Sequence, residues 1–178
     1  MIRLFAALPL PDELRTRIGG LQGGIDGANW VPPENLHITL RFIGEVPEDR
    51  GEDIVAALDG VRWPDFPVTL DGTGHFGTGD RARAIWVGVR KSGALAGLHE
   101  KIEAALVRVG FPPEGRKFTP HVTVARLKHA KANRVVRWLE ASGAFVAPPF
   151  AAREFTLYES RLGRHGPVYT PLAAFPLD

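Results

Sequence analysis

The chain has 178 residues, 44% of them hydrophobic, which suits one domain with a sizeable interior and excludes a disordered chain. Its formal net charge of +2 is too small to argue nucleic-acid binding from bulk charge. The absence of cysteine excludes disulfides, thiolate chemistry and Cys-ligated zinc.

Ile2 to Leu8 reads as a buried strand. It is too short for a signal sequence and runs into Pro9 and Pro11, and no apolar run approaches membrane-spanning length, so a cytoplasmic protein is expected. Pro11-Asp12-Glu13 opens a helix with acid at its positive end, and the stretch Gly19 to Gly27 closes it. Leu36 to Ile43 is predicted as a strand and Asp49 to Leu58 as a helix. Phe66 to Leu70 and Ala84 to Val89 read as strands joined by a turn-rich link from Asp71 to Asp80. Leu95, Leu98, Ile102, Leu106 and Val109 recur at helical spacing, which predicts an amphipathic helix over Gly93 to Val109. A strand from Thr119 to Leu127, a helix from Lys131 to Glu140, and strands from Phe150 to Tyr158 and Val168 to Phe175 complete the chain. Strands and helices mix without a strict βαβ beat, which points to an α+β fold with antiparallel sheets. No linker divides it, so residues 1–178 are expected to form a single two-lobed domain.

One repeat stands out. Leu36-His37-Ile38-Thr39-Leu40 is echoed by Pro120-His121-Val122-Thr123-Val124, 84 residues later and close to half the chain length. With six His and nine Thr in the chain, random placement gives roughly 0.3 His-x-Thr pairs; requiring apolar partners at both x positions leaves roughly 0.06. Two are present. In a strand, residues i and i+2 share a face, so His37 and Thr39 point one way while Ile38 and Leu40 anchor in the core, and His121 and Thr123 do the same. Such a quartet could surround one small anion, with imidazoles to move protons near neutral pH and hydroxyls to donate to phosphate oxygens. Nothing in it resembles an activated Ser or Cys nucleophile, and two His without carboxylates make a poor metal site. The bland alternative is a pair of half-exposed strand His residues with Thr chosen for β propensity.

The remaining histidines take the bland reading. His99 falls off the apolar stripe of its helix and reads as solvated; His75, His129 and His165 lie in turns or loops. The Gly72 to Gly79 stretch lacks the Lys-Ser/Thr ending of a phosphate loop and opens no helix, so it reads as a turn.

His-Ile-Thr-Leu and His-Val-Thr-Val resemble the paired motifs of the two-histidine phosphoesterase superfamily. Trp30-Val-Pro-Pro-Glu-Asn-Leu-His, Arg41-Phe-Ile-Gly-Glu, Trp86-Val-Gly-Val, Phe118-Thr-Pro-His, Ala125-Arg126 and Leu157-Tyr-Glu-Ser are similar to the bacterial RNA 2′,3′-cyclic phosphodiesterase, or 2′-5′ RNA ligase-like, family. The resemblance runs from about Arg3 to Leu177. It implies two pseudo-symmetric antiparallel-sheet lobes with outer helices and a central cleft. It further implies hydrolysis of an RNA 2′,3′-cyclic phosphate end, or of a small cyclic nucleotide, to a 2′-phosphate, without metal or other cofactor; a monomer is expected. Residue by residue, His37 would be the general acid and His121 the general base, with Thr39 and Thr123 on the phosphoryl oxygens and Arg126 on the substrate phosphate. An acid and a base on opposite sides of phosphorus require one imidazole charged and the other neutral, so their pKa values should be driven apart.

Strict alternation places Arg126 on the face opposite His121, so reaching the cleft requires a bulge or a strand end. Arg41 has the correct parity for the cleft and is a second candidate cation, whereas the parity of Phe42 favours the core over base stacking. Two rival functions use the same residues: a 2′-5′ RNA ligase, in which an alcohol replaces water, and a non-catalytic nucleotide-binding module. The module would be betrayed by a lost His or Thr, and both motifs are intact.

Overall fold

The computed structural model describes residues 1–178. Strand β1 (Ile2–Pro9) is followed by α1 (Asp12–Gly19), short strand β2 (Ala28–Trp30), β3 (His37–Val46) and α2 (Gly51–Asp59). Short β4 (Phe66–Val68) and β5 (Leu70–Phe76) lead to β6 (Ala84–Val89), α3 (Gly93–Arg108), β7 (His121–Leu127) and α4 (Ala132–Ser142). Short β8 (Phe150–Ala152) and the long hairpin β9 (Glu154–Gly163) and β10 (Gly166–Pro176) finish the chain. The strands form two four-stranded sheets, ordered β10-β9-β1-β3 and β2-β7-β6-β5, and a small β4-β8 pair. All pairings are antiparallel, as the α+β reading expects.

The order strand, helix, motif strand, helix occurs twice, as β1-α1-β3-α2 and as β6-α3-β7-α4. In each round a buried strand rich in small or branched apolar residues pairs with the motif strand that follows the helix. Leu4, Leu8, Ile38 and Leu40 of the first sheet and Ile85, Val87, Val122 and Val124 of the second belong to one continuous buried cluster. Burying such side chains is the main term favouring this fold, roughly 1.5–3 kcal/mol for each fully buried one. Helix α3 begins where Ser92 Oγ accepts from Leu95 N at 3.0 Å, satisfying one free amide at the helix start.

Two segments depart from the sequence expectation. The stretch from Asp71 to Asp80, read as a turn-rich link, is strand β5 as far as Phe76. Its glycines weaken the β signal, yet at Gly74 the missing side chain is what lets the strand pair: a Cβ there would lie 2.3 Å from the Trp86 indole, which covers it. Phe150 to Tyr158, expected as one strand, is broken at Arg153 into β8, which pairs with β4, and β9, which pairs with β1 and β10.

Candidate active site

The two motif strands run alongside each other where the sheets meet. His37, Thr39, His121 and Thr123 all line one cavity of about 740 Å³. The exposure of successive residues is the same in both strands: half-buried His, buried apolar, half-buried Thr, two buried residues, then an exposed one.

Two consecutive buried residues break the alternation, and the strand registers show why. In β7, Thr123 faces Trp86 and Ala125 faces Ile85, so Val124 is an extra residue. In β3, Thr39 faces Ala7 and Arg41 faces Ala6, so Leu40 is an extra residue. Each is a β-bulge at the same place in its motif, and each shifts the following side chains to the other face. Arg126 is thereby returned to the cleft, where it lines the cavity. None of the six ion pairs in the chain involves it.

The same shift corrects two expectations. Arg41 is not a cleft cation: it is 4% exposed, pairs with Glu103 on α3, and donates to the carbonyls of Phe42 and Pro112. Glu103 also accepts from Glu114 N at 3.1 Å, so the pair ties β3 to the loop leading toward β7. Phe42, expected inside, is 55% exposed and lines the cavity. Both follow from the bulge at Leu40, which inverts the parity of the two residues after it.

Each imidazole is held alike. His37 Nδ1–H donates to the carbonyl of Asn35 and His121 Nδ1–H to that of Thr119, both at 2.6 Å. A carbonyl can only accept, so this contact fixes the proton on Nδ1 of the neutral ring and leaves Nε2 for chemistry. Thr39 Oγ1 lies 2.9 Å from His37 Nε2. His37 sits against Phe5 at 5.0 Å between ring centroids and Tyr169 at 5.4 Å; His121 sits against Phe76 at 4.9 Å and Trp86 at 5.9 Å.

This packing sets the charge state. Burial lowers the His37 pKa from its ordinary 6.5 to about 4, opposed by the bond to Asn35 and assisted by the charges of His121, Arg126 and Arg15. Burial also lowers the pKa of His121, opposed by the bond to Thr119. Both shifts run downward, because both rings are desolvated.

The cavity wall includes further groups, among them His165, which reads from the sequence as a plain loop residue. Tyr169 comes from β10, Trp30 from β2, and His165 from the β9–β10 turn. Asn35 Nδ2 donates to the carbonyl of Pro167 at 2.9 Å, which fastens this hairpin to the turn before His37. Trp30 was visible within the family-like stretch running to His37; nothing local marks Tyr169 or His165. His99, read as solvated, is half-buried and stacked on Phe118 with centroids 4.0 Å apart. No Asp or Glu lines the cavity, and no group of three His, Cys, Asp or Glu side chains in the chain is placed to hold a metal ion. No helix is long and apolar enough to cross a membrane.

Known proteins are similar to this chain over most of its length. An Aeropyrum pernix RNA 2′,3′-cyclic phosphodiesterase is 40% identical, with 80% of this chain and 82% of that protein covered. An Archaeoglobus fulgidus RNA 2′,3′-cyclic phosphodiesterase is 32% identical, with 98% and 99% covered. The crystal structure of Escherichia coli LigT complexed with 3′-AMP superposes with a TM-score of 0.76 at 32% identity, covering 99% of this chain and 98% of that one. The model of the 2′-5′ RNA ligase superfamily matches residues 10–164, and the chain belongs to that superfamily.

Proposed function

We propose that this chain opens 2′,3′-cyclic phosphates at RNA ends to 2′-phosphates, with His37 as general acid and His121 as general base. The observation that carries this reading is the convergence of two histidines anchored alike through Nδ1, their two threonines and Arg126 on one cavity. The relatives named above as RNA 2′,3′-cyclic phosphodiesterases support the substrate class.

The chemistry follows from the groups present. Water attacks phosphorus in line while His121 Nε2 takes its proton. The P–O3′ bond breaks as His37 delivers a proton to O3′, leaving a 2′-phosphate and a 3′-hydroxyl. Thr39, Thr123 and Arg126 donate to the phosphoryl oxygens, where charge builds in the transition state. Burial lowers the His37 pKa to about 4, so the acid role requires a proton gained with the substrate. The anionic phosphodiester supplies the charge that favours the imidazolium. Binding then takes up a proton, and affinity for an anionic ligand falls as pH rises above about 4, up to the higher pKa of the occupied cleft.

A second reading exchanges the two roles. It is favoured by the low pKa of His37, which is ready to act as base without losing a proton. A substrate with a better leaving group separates the two, because it rescues only the variant that lacks the acid.

The primary test is turnover of a 2′,3′-cyclic phosphate-ended RNA by purified protein in excess EDTA. Undiminished formation of a 2′-phosphate end is expected. Activity lost to EDTA and restored by a divalent ion would overturn the mechanism, and a 2′-5′ linked product at high RNA 5′-hydroxyl concentration would identify a ligase.

A further inference from the structure

The cleft holds one cation for one phosphate. Arg126 is the sole Arg or Lys lining it, and the chemistry above commits that residue to the cyclic phosphate. An RNA end carries more charge than this, because each nucleotide before the last brings a phosphodiester with its own negative charge. Those groups need cations that the cleft does not contain.

A second cavity, of about 710 Å³, adjoins the cleft on the same sheet. His121 of the cleft pairs with Gly88, which lines the second cavity. Paired strands lie about 4.8 Å apart, so one strand spacing separates the two spaces. Trp86 stands at the boundary: it lines the second cavity and packs against His121 with centroids 5.9 Å apart. Thr119, whose carbonyl anchors His121, belongs to the same wall. Lys91, just before α3, and Lys117, in the loop leading to β7, also line this cavity. Both are exposed, and neither takes part in any of the six ion pairs. The one carboxylate on the wall, Asp71, is held by Arg90 at 3.0 Å. The charge facing this space is therefore positive and uncommitted. Two smaller cavities have the opposite character. Glu48, Glu52 and Asp59 rim one of about 440 Å³. In another, of about 370 Å³, both arginines are paired with glutamates and Glu48 is left over.

We propose that the second cavity is a subsite for the RNA strand ahead of its cyclic end, with Lys91 and Lys117 holding the phosphodiesters that precede the reacting one. This rests on the phosphodiesterase reading above and adds how the enzyme tells an RNA end from a free cyclic nucleotide. A lysine is a point charge on a flexible stem, suited to a backbone recognised by charge and not by sequence. Trp86 and Phe118 give the same wall a half-buried aromatic surface, on which unpaired bases stack whatever their identity. A cyclic mononucleotide would occupy the cleft alone and gain nothing from the lysines.

The experiment measures kcat and KM for wild type, Lys91→Gln, Lys117→Gln and the double variant on three substrates. These are a nucleoside 2′,3′-cyclic phosphate, a trinucleotide with the same end, and that trinucleotide with uncharged methylphosphonate linkages between its nucleotides. On the charged trinucleotide each single variant should raise KM by about two- to fivefold, the usual worth of one exposed charge contact, and the double variant by roughly the product of the two. Added salt should weaken the wild type on this substrate more steeply than the double variant. On the other two substrates all four proteins should agree. Wild-type KM in the double variant on the charged trinucleotide would overturn the inference. So would an equal penalty on the mononucleotide or the uncharged trinucleotide, because the lysines would then act on the fold or the cleft and not on a backbone phosphate. A wild type that turns over none of the three would overturn the phosphodiesterase reading, and this inference with it.

Discussion

Strands β3 and β7 are built on one plan and filled differently. Both carry His-x-Thr, both anchor the imidazole on the carbonyl two residues earlier, and both bulge after the Thr. At the first buried position beyond the bulge, β7 has Ala125, which needs no partner. β3 has Arg41, whose guanidinium needs Glu103 and two carbonyls. At the next position β7 presents a cation and β3 an aromatic ring. The backbone plan thus sets where polar groups can stand, while single side chains on that plan decide which half-site presents a charge and which a flat apolar surface.

The largest expected difference tests whether the two imidazoles do different jobs. His37→Ala and His121→Ala should each lower kcat/KM by roughly 10²–10⁴-fold, the usual worth of a positioned proton-transfer group. An activated leaving group should rescue His37→Ala far more than His121→Ala; the reverse pattern would assign the acid to β7, and equal rescue would erase the comparison.

Next comes stability, where the strands should part most clearly. Arg41→Met leaves Glu103 without its cation in a largely buried setting, and urea unfolding should show a loss of about 3–5 kcal/mol. Arg126→Met should leave unfolding within about 0.5 kcal/mol of wild type, because its side chain is exposed and outside every ion pair. An Arg41→Met protein as stable as wild type would mean that the buried pair is not what holds this part of β3.

The two threonines should then differ in kind more than in size. Thr39→Ala and Thr123→Ala each remove one donor to a phosphoryl oxygen, at an expected cost of about 2–4 kcal/mol in the transition state. Thr39 also contacts His37 Nε2, so its loss should move the pH profile of kcat/KM, whereas Thr123→Ala should lower the profile without moving it. Identical profiles would remove this distinction between the half-sites.

The smallest effect is on folding at mild acidity. The His37 pKa is lowered to about 4 in the folded chain, so between pH 6.5 and about 4 the unfolded chain binds a proton that the folded chain does not. Stability contributed by this group is present above pH 6.5, is lost as pH falls through that window, and changes no further below about 4. The full shift corresponds to at most about 3 kcal/mol. His121 acts in the same direction. Unfolding of His37→Gln should show a shallower dependence over this window, and an unchanged slope would show that the ring is more solvated than its packing indicates.

Much of this molecule can be read locally. Periodic apolar residues mark α3 to within a residue of its observed end, and Ala84 to Val89 is a strand as expected. These segments are legible because each pattern matches one periodicity and ends on a clear stop. The repeat of His-x-Thr at a spacing of 84 residues marks the two strands as counterparts in the sequence itself, since two-residue alternation alone puts His and Thr on one face. Beyond the Thr, local reading fails. Whether a strand carries an extra residue depends on its neighbour's register, which no alternation pattern records, and that single residue sends Arg41 inward and Phe42 and Arg126 outward. β5 is similar: its glycines look like turns until Trp86 of the adjacent strand is seen to occupy the space above Gly74. Tyr169 and His165 reach the cleft only because a distant hairpin is fastened beside His37 through Asn35 and Pro167. Sequence therefore determined which chemical groups are present and which strands carry them. Tertiary structure decided which of those groups face one another, because register and packing are properties of pairs of strands and not of either strand alone.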